Sequence, residues 1–217
     1  MKIIGYINPD TKVGSSSPEY PAKHGGVCLI VGTHPCWEED VANARLKFGD
    51  GVAIIAVNEA ARLVKPDHIA TSHDGRIDMF AAQFQMKWGY DVVMPALHFR
   101  SPQLKTLHPS ATAWDVTVGA GSAPFAAAIA IMMGYDLAVF CGCPMDGGGG
   151  YALEKTHPST LDDPRFGLID KKHQLVHSWK IALRNMPNAI PELASKWRSM
   201  SGYTKQIFGG LECPPLV

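Results

Sequence analysis

Residues 27–37, Val-Cys-Leu-Ile-Val-Gly-Thr-His-Pro-Cys-Trp, constrain what this chain can fold into more than any other stretch. Five apolar residues run unbroken into Gly32, followed by Thr33, His34 and Pro35. An apolar run without alternation reads as a strand covered on both faces. Gly32 allows a tight exit from it. Pro35 suits the start of a helix, where a missing N–H costs nothing. Residues 37–48 then carry an amphipathic pattern, and Glu38, Glu39 and Asp40 complement the positive end of that helix. Strand, polar loop and helix in this order form the first βα unit of an open α/β sheet. Such sheets take ligands at the carboxyl ends of their strands.

The unit recurs along the chain. Residues 52–57 read as a second strand ending at Asn58, with a short helix over 59–64. Pro66 breaks that helix, and residues 68–71 make a third strand running into Ser72-His73-Asp74-Gly75. Residues 76–88 have helical period, and 91–94 read as a fourth strand. From 95 to 114, a stretch holding His98, Arg100 and His108, the pattern dissolves into an excursion or a lid. Order returns at Gly119-Ala120-Gly121-Ser122, with Ser122 a good N-cap for a helix over 125–133 that is apolar nearly all round and hence buried. Residues 137–141 form a strand leading to Gly142 and then Asp146, and four glycines follow before Tyr151. Residues 173–185 and 191–199 read as helices. Alternating strands and helices imply a single Rossmann-like, doubly wound α/β domain, its sheet mainly parallel with helices on both faces. It spans 27–208, between an irregular N-terminal arm (1–26) and a C-terminal tail (209–217).

Composition narrows the classes of function. The chain has 217 residues, enough for one self-sufficient core, and its twenty basic residues balance twenty acidic ones. With no long run of either sign, broad nucleic-acid binding is not expected. Five cysteines, two of them (Cys28 and Cys141) inside apolar runs, argue against a disulfide framework and for a reducing, cytoplasmic setting. No apolar run reaches the roughly 20 residues of a membrane span. The start at Met1 is soon interrupted by Asn8, Pro9 and Asp10, so no secretory leader is expected.

The candidate site residues are positional. Each clear strand delivers polar groups at its carboxyl end: Thr33 and His34, Asn58, then Ser72, His73 and Asp74, and later Asp146. In a doubly wound sheet these ends share one edge, where they can converge on a crevice. The loops at Gly32 and at Gly121-Ser122 could each cradle a phosphate on backbone N–H groups. Neither is a P-loop, and neither completes the dinucleotide glycine signature. Asp74 with Asp78, or Asp146, could hold Mg²⁺ on oxygen ligands. His173 and His177 stand one helical turn apart, and one of them suffices as a general base.

Several of these motifs resemble a family. Gly32-Thr33-His34-Pro35-Cys36-Trp37 is similar to the Gly-x-Gly-Pro-Ser-Leu nucleotide loop of bacterial sialyltransferases of the Campylobacter type. Uncharacterised, often phage- or prophage-encoded, proteins share that loop, and it also resembles the archaeal hydroxymethylpterin pyrophosphokinase-like family. Asn58 matches an asparagine that follows a strand there. The run 121–135, from Gly-Ser through an apolar helix to Gly134-Tyr135, is similar to the family's Ser-Gly and helix ending in Gly-Tyr. Tyr151-Ala152 and a histidine before or within a later helix follow in order. The likeness covers most of residues 27–185. His34 stands where the family loop has its second glycine, and Met145 where it has a second phosphate-binding tyrosine.

The resemblance implies a nucleotide-binding transferase that uses a nucleotide sugar as donor and moves the sugar to a hydroxyl of a small-molecule or glycan acceptor. It implies that Gly32, Thr33, His34, Asn58, His73, Gly121 and Ser122 approach the nucleotide. Tyr151 would hold the leaving phosphate, and His177 or His173 would be the base. The alternatives are a pyrophosphoryl transferase using Mg²⁺ on Asp74 or Asp146, and a non-catalytic phage protein that kept the fold. Homo-oligomer formation stays open.

Overall fold

The computed structural model describes residues 6–7, 24–73, 76–100, 111–116, 118–119, 121–145 and 169–212, with backbone alone at 6–7 and 169–176. Its strands are β1 (Tyr6–Ile7), β2 (Val27–Val31), β3 (Ala53–Val57), β4 (His68–Thr71), β5 (Ala96–Arg100), β6 (Ala111–Trp114), β7 (Leu137–Cys141) and β8 (Trp197–Ser199). They form one eight-stranded sheet in the order β1-β6-β5-β4-β3-β2-β7-β8. β1 runs antiparallel to β6, and all the other neighbours are parallel. The helices are α1 (Trp37–Phe48), α2 (Ile77–Trp88), α3 (Ser122–Met132), α4 (Ile169–Ala189), α5 (Pro191–Ala194) and α6 (Gly202–Phe208), with a 3₁₀ turn at Asn58–Arg62.

The chain winds outward from β2 to β6, then returns across the sheet to β7 on the other side of β2. Right-handed crossovers require that reversal to move the helices to the opposite face. The two cores follow this rule. Leu29, Val31, Ile54 and Ala56 pack with Val41 and Ala44 of α1 and Phe80 and Phe84 of α2. Their strand neighbours Cys28, Ile30, Ile55 and Val57 point the other way, toward Phe125 and Ile129 of α3, Leu183 and Met186 of α4 and Phe208 of α6. Unbroken apolar strands are needed because both faces are covered. α3 crosses the sheet on the return, and Ser122 through Ala130 are all buried. Among the described residues no helix is long and apolar enough to cross a membrane.

Three departures from the sequence reading have physical causes. The strand that follows α2 is Ala96–Arg100, not 91–94: Val93 is 89% exposed, and the strand begins only after Pro95. The stretch 95–114 therefore holds two strands, β5 and β6, where no period was visible. The helix read over 191–199 ends at Ala194 and gives way to the edge strand β8, and α6 follows where nothing had been assigned.

β5 was hidden by a buried polar residue in its middle. His98 is fully buried on the α3 face. Trp114 Nε1 donates to His98 Nδ1 at 3.1 Å. His98 Nε2 lies 3.0 Å from His68 Nδ1, and His68 Nε2 3.2 Å from the Tyr135 hydroxyl. An indole N–H only donates, so His98 Nδ1 must accept and a neutral His98 carries its proton on Nε2. That proton points at His68 Nδ1, which sends the His68 proton to Nε2 and on to Tyr135. Burial holds both imidazoles neutral: it pushes His68 down to about 4 and His98 well below the usual histidine range. The chain of bonds fastens β4, β5 and β6 to Tyr135, in the turn between α3 and β7.

Candidate active site at the carboxyl edge

The β2–α1 loop is shaped by its neighbour, the segment after β7. Gly32 N donates to Cys141 O at 2.9 Å, and His34 N to Gly142 O at 3.1 Å. A Cβ on Gly32 would lie 2.5 Å from both Gly142 O and Cys143 Sγ. Gly32 is a glycine because two loops touch there, and it is buried beneath them. Gly142 has φ +63, and a Cβ on it would meet Trp37 Cβ at 2.5 Å. Asp40, 6% exposed, locks the contact: its Oδ2 accepts from Gly142 N at 2.8 Å and from Ser201 Oγ at 2.8 Å. Beyond complementing the helix dipole, this carboxylate ties α1 to the β7 loop and to the start of α6.

Thr33 and His34 are left part-exposed above this contact. His34 Nδ1 accepts from Cys36 N at 3.3 Å and lies 3.0 Å from Cys36 Sγ. The thiol also lies 3.4 Å from both Asp40 Oδ2 and Ser201 Oγ. Burial pushes the Cys36 thiol up; the Ser201 hydrogen bond opposes this and the Asp40 charge adds to it. Cys36 and Asp40 were not among the residues the sequence singled out for a site. Their types were visible, but their meeting with Ser201 depends on the late α6 segment.

At the next strand end, Asn58 has φ +54, in the left-handed region that asparagine tolerates better than most residues. Its side-chain Oδ1 is buried with no hydrogen-bond partner. Met145, after β7, has φ +54 as well. Strained non-glycine backbone of this kind collects at functional sites. At the end of β4, Ser72 N and Ser72 Oγ reach Ser122 Oγ at 3.0 and 2.8 Å. Ser122 is therefore the first residue of α3 and not its cap; Gly121 takes the N-cap position, and the Ser122 hydroxyl bonds across to β4. His73 is exposed beside it, with its N–H on Thr71 Oγ1 at 3.1 Å.

Thr33, His34, Asn58, Ser72, His73, Gly121 and Ser122 thus share the carboxyl edge of the sheet, as their positions at strand ends required. Gly32 lies beneath them as packing. α4 passes close by: a Cβ on Gly121 would lie 3.9 Å from the Trp179 ring. His177 is exposed on α4, on a stripe with Ile181 and Arg184, whereas Leu183 and Met186 turn inward. Asp74, Asp146, Tyr151 and the His173 side chain lie outside the described residues. Among the described residues no three metal-ligating side chains gather. A cavity of about 1020 Å³, lined in part by His24, Arg45, Lys65 and Tyr135, opens at the opposite, amino edge. Buried polar atoms without a partner occur at both edges, Asn58 Oδ1 at the carboxyl edge and Arg45 Nε at the cavity; the left-handed Asn58 and Met145 are both at the carboxyl edge, and we place the candidate site there.

No protein-family model matches the chain, and neither a curated protein nor a solved structure does.

Proposed function

We propose that the protein binds a nucleotide across the carboxyl edge of its sheet and acts as a nucleotide-sugar-dependent transferase toward a hydroxyl acceptor. The observation that carries the binding step is Asn58. A buried amide oxygen without a donor is costly, and a left-handed asparagine at a strand end adds strain. A ribose hydroxyl or a base amino group would satisfy that oxygen. The transfer step rests on the resemblance of residues 27–185 to the sialyltransferase-like family. In that reading His177 or His173 takes the acceptor proton as the new glycosidic bond forms, and Tyr151 donates to the departing phosphate.

Asn58→Gly tests the binding step cleanly. Glycine accepts φ +54 without strain, so the fold should be kept or improved while the amide is lost. Titration calorimetry against the four common ribonucleosides and their monophosphates should show one preferred base. Asn58→Gly should weaken that ligand by about 5- to 150-fold, the worth of leaving a hydrogen-bonding group unpaired. Undiminished affinity in Asn58→Gly, or no binding by the native protein, overturns the reading. Turnover of a nucleotide sugar that requires Mg²⁺ would move the chemistry to the Asp74 and Asp146 alternative.

A further inference from the structure

Arg100 ends β5 on the same edge, and neither the resemblance nor the strand-end reading gave it a role. Register fixes its surroundings. Thr71 pairs with Phe99, so Ser72 follows alongside Arg100 on the neighbouring strand. Arg100 itself pairs with Trp114, which belongs to the α3-side core. Phe99 belongs to the other core. Strand alternation therefore puts Arg100 on the α3 face, together with Ser72, whose hydroxyl meets Ser122 at the amino end of α3. Strands about 4.8 Å apart bring the guanidinium and this serine pair within reach of one ligand.

Two independent features ask for negative charge there. Arg100 Nε is buried with no hydrogen-bond partner, although the residue as a whole is part-exposed. Among the described residues no ion pair joins it to Asp115 at the end of β6. α3 also has no acidic residue in its first turn, whereas α1 has three. Among the described residues, the positive end of an eleven-residue helix and a guanidinium N–H on one side of the sheet are thus without an anion. A phosphate group supplies several acceptor oxygens and the opposite charge, and a guanidinium fork fits it well.

We propose that Arg100, Ser72, Ser122 and the amino end of α3 form a phosphate-binding subsite. Resting on the nucleotide reading above, the phosphate held there is that of the nucleotide whose ribosyl or base group meets Asn58. The ligand then lies along the ends of β3, β4 and β5, with its anionic end over Arg100.

Calorimetry with inorganic phosphate, the four ribonucleosides and the four ribonucleoside monophosphates tests this on the full chain. The native protein should bind inorganic phosphate, and should bind one monophosphate at least tenfold tighter than its nucleoside. Arg100→Gln should weaken the monophosphate and inorganic phosphate by about 10- to 150-fold, the range for hydrogen bonds to charged groups. It should leave the nucleoside unchanged. Arg100→Lys, which keeps the charge and loses the fork, should recover part of the loss, and circular dichroism should match the native protein for both variants. Phosphate binding that depends on Arg100 without any nucleoside binding keeps the subsite and rejects the nucleotide. Nucleoside binding with no gain from phosphate does the reverse. Equal phosphate affinity in the native and Arg100→Gln proteins, or none in the native protein, overturns the subsite.

Discussion

Gly32 shows how one residue can be placed correctly and explained incompletely. Its position after an apolar run marks a βα loop, and sequence patterning suggests a glycine that lets backbone approach a phosphate. The backbone it approaches is that of Gly142. Gly32→Ala puts a methyl group 2.5 Å from Gly142 O and Cys143 Sγ, so it should act on the fold. A loss of about 1–3 kcal/mol in urea unfolding is expected, the usual cost of overpacking a closed contact. Unchanged stability with lost nucleotide affinity would instead restore Gly32 to the ligand. Asp40 and Arg100 were harder to see. A charge in a helix's first turn or at a strand end is ordinarily solvated, and only the packing of distant segments shows one carboxylate oxygen accepting from Gly142 and Ser201 and one guanidinium N–H without an acceptor.

Elements were legible in proportion to how continuous their apolar runs are. β2, β3, β4, β7, α1 and α2 stand where the pattern put them, within a residue or two. β5 and β6 were missed because His98 and Thr112 interrupt the runs, and β8 because three residues beside Lys196 carry no period. The price of placing His98 inside is a stability that depends on pH. Unfolded histidine titrates near 6.5, whereas burial pushes His68 in the fold down to about 4 and His98 well below the usual histidine range. Between those values the unfolded chain binds more protons, so stability is full above pH 6.5 and falls as pH drops toward 4. Asp67 partly offsets the shift of His68, and His24, edge-on to His68 and stacked on Tyr135, adds to it. His68 alone should cost about 3 kcal/mol across that window. Urea midpoints from pH 8 to 4 should fall accordingly, and His68→Gln should flatten the slope. A native profile flat between pH 6.5 and 4 would contradict the neutral pair.

For the whole molecule, the reversal of winding between β2 and β7 decides where chemistry can occur. Alternating elements make the parallel sheet and the two helical faces readable from the sequence. They could not say which strand ends are sealed by each other and which stay open to a ligand. The structure seals β2 against β7 through Gly32, Gly142 and Asp40, and leaves polar groups at β3, β4 and β5 with Asn58 and Arg100 unsatisfied. We propose that a nucleotide binds at these ends and not in the cavity at the amino edge. Amide chemical-shift mapping of the ¹⁵N-labelled protein, titrated with the preferred ribonucleoside monophosphate, tests it most directly. The largest shifts should fall at Thr33, Asn58, Ser72, Arg100 and Ser122, with His24, Lys65 and Tyr135 unmoved. Shifts centred on His24, Lys65 and Tyr135, or no saturable shift with any of the four monophosphates, would contradict it.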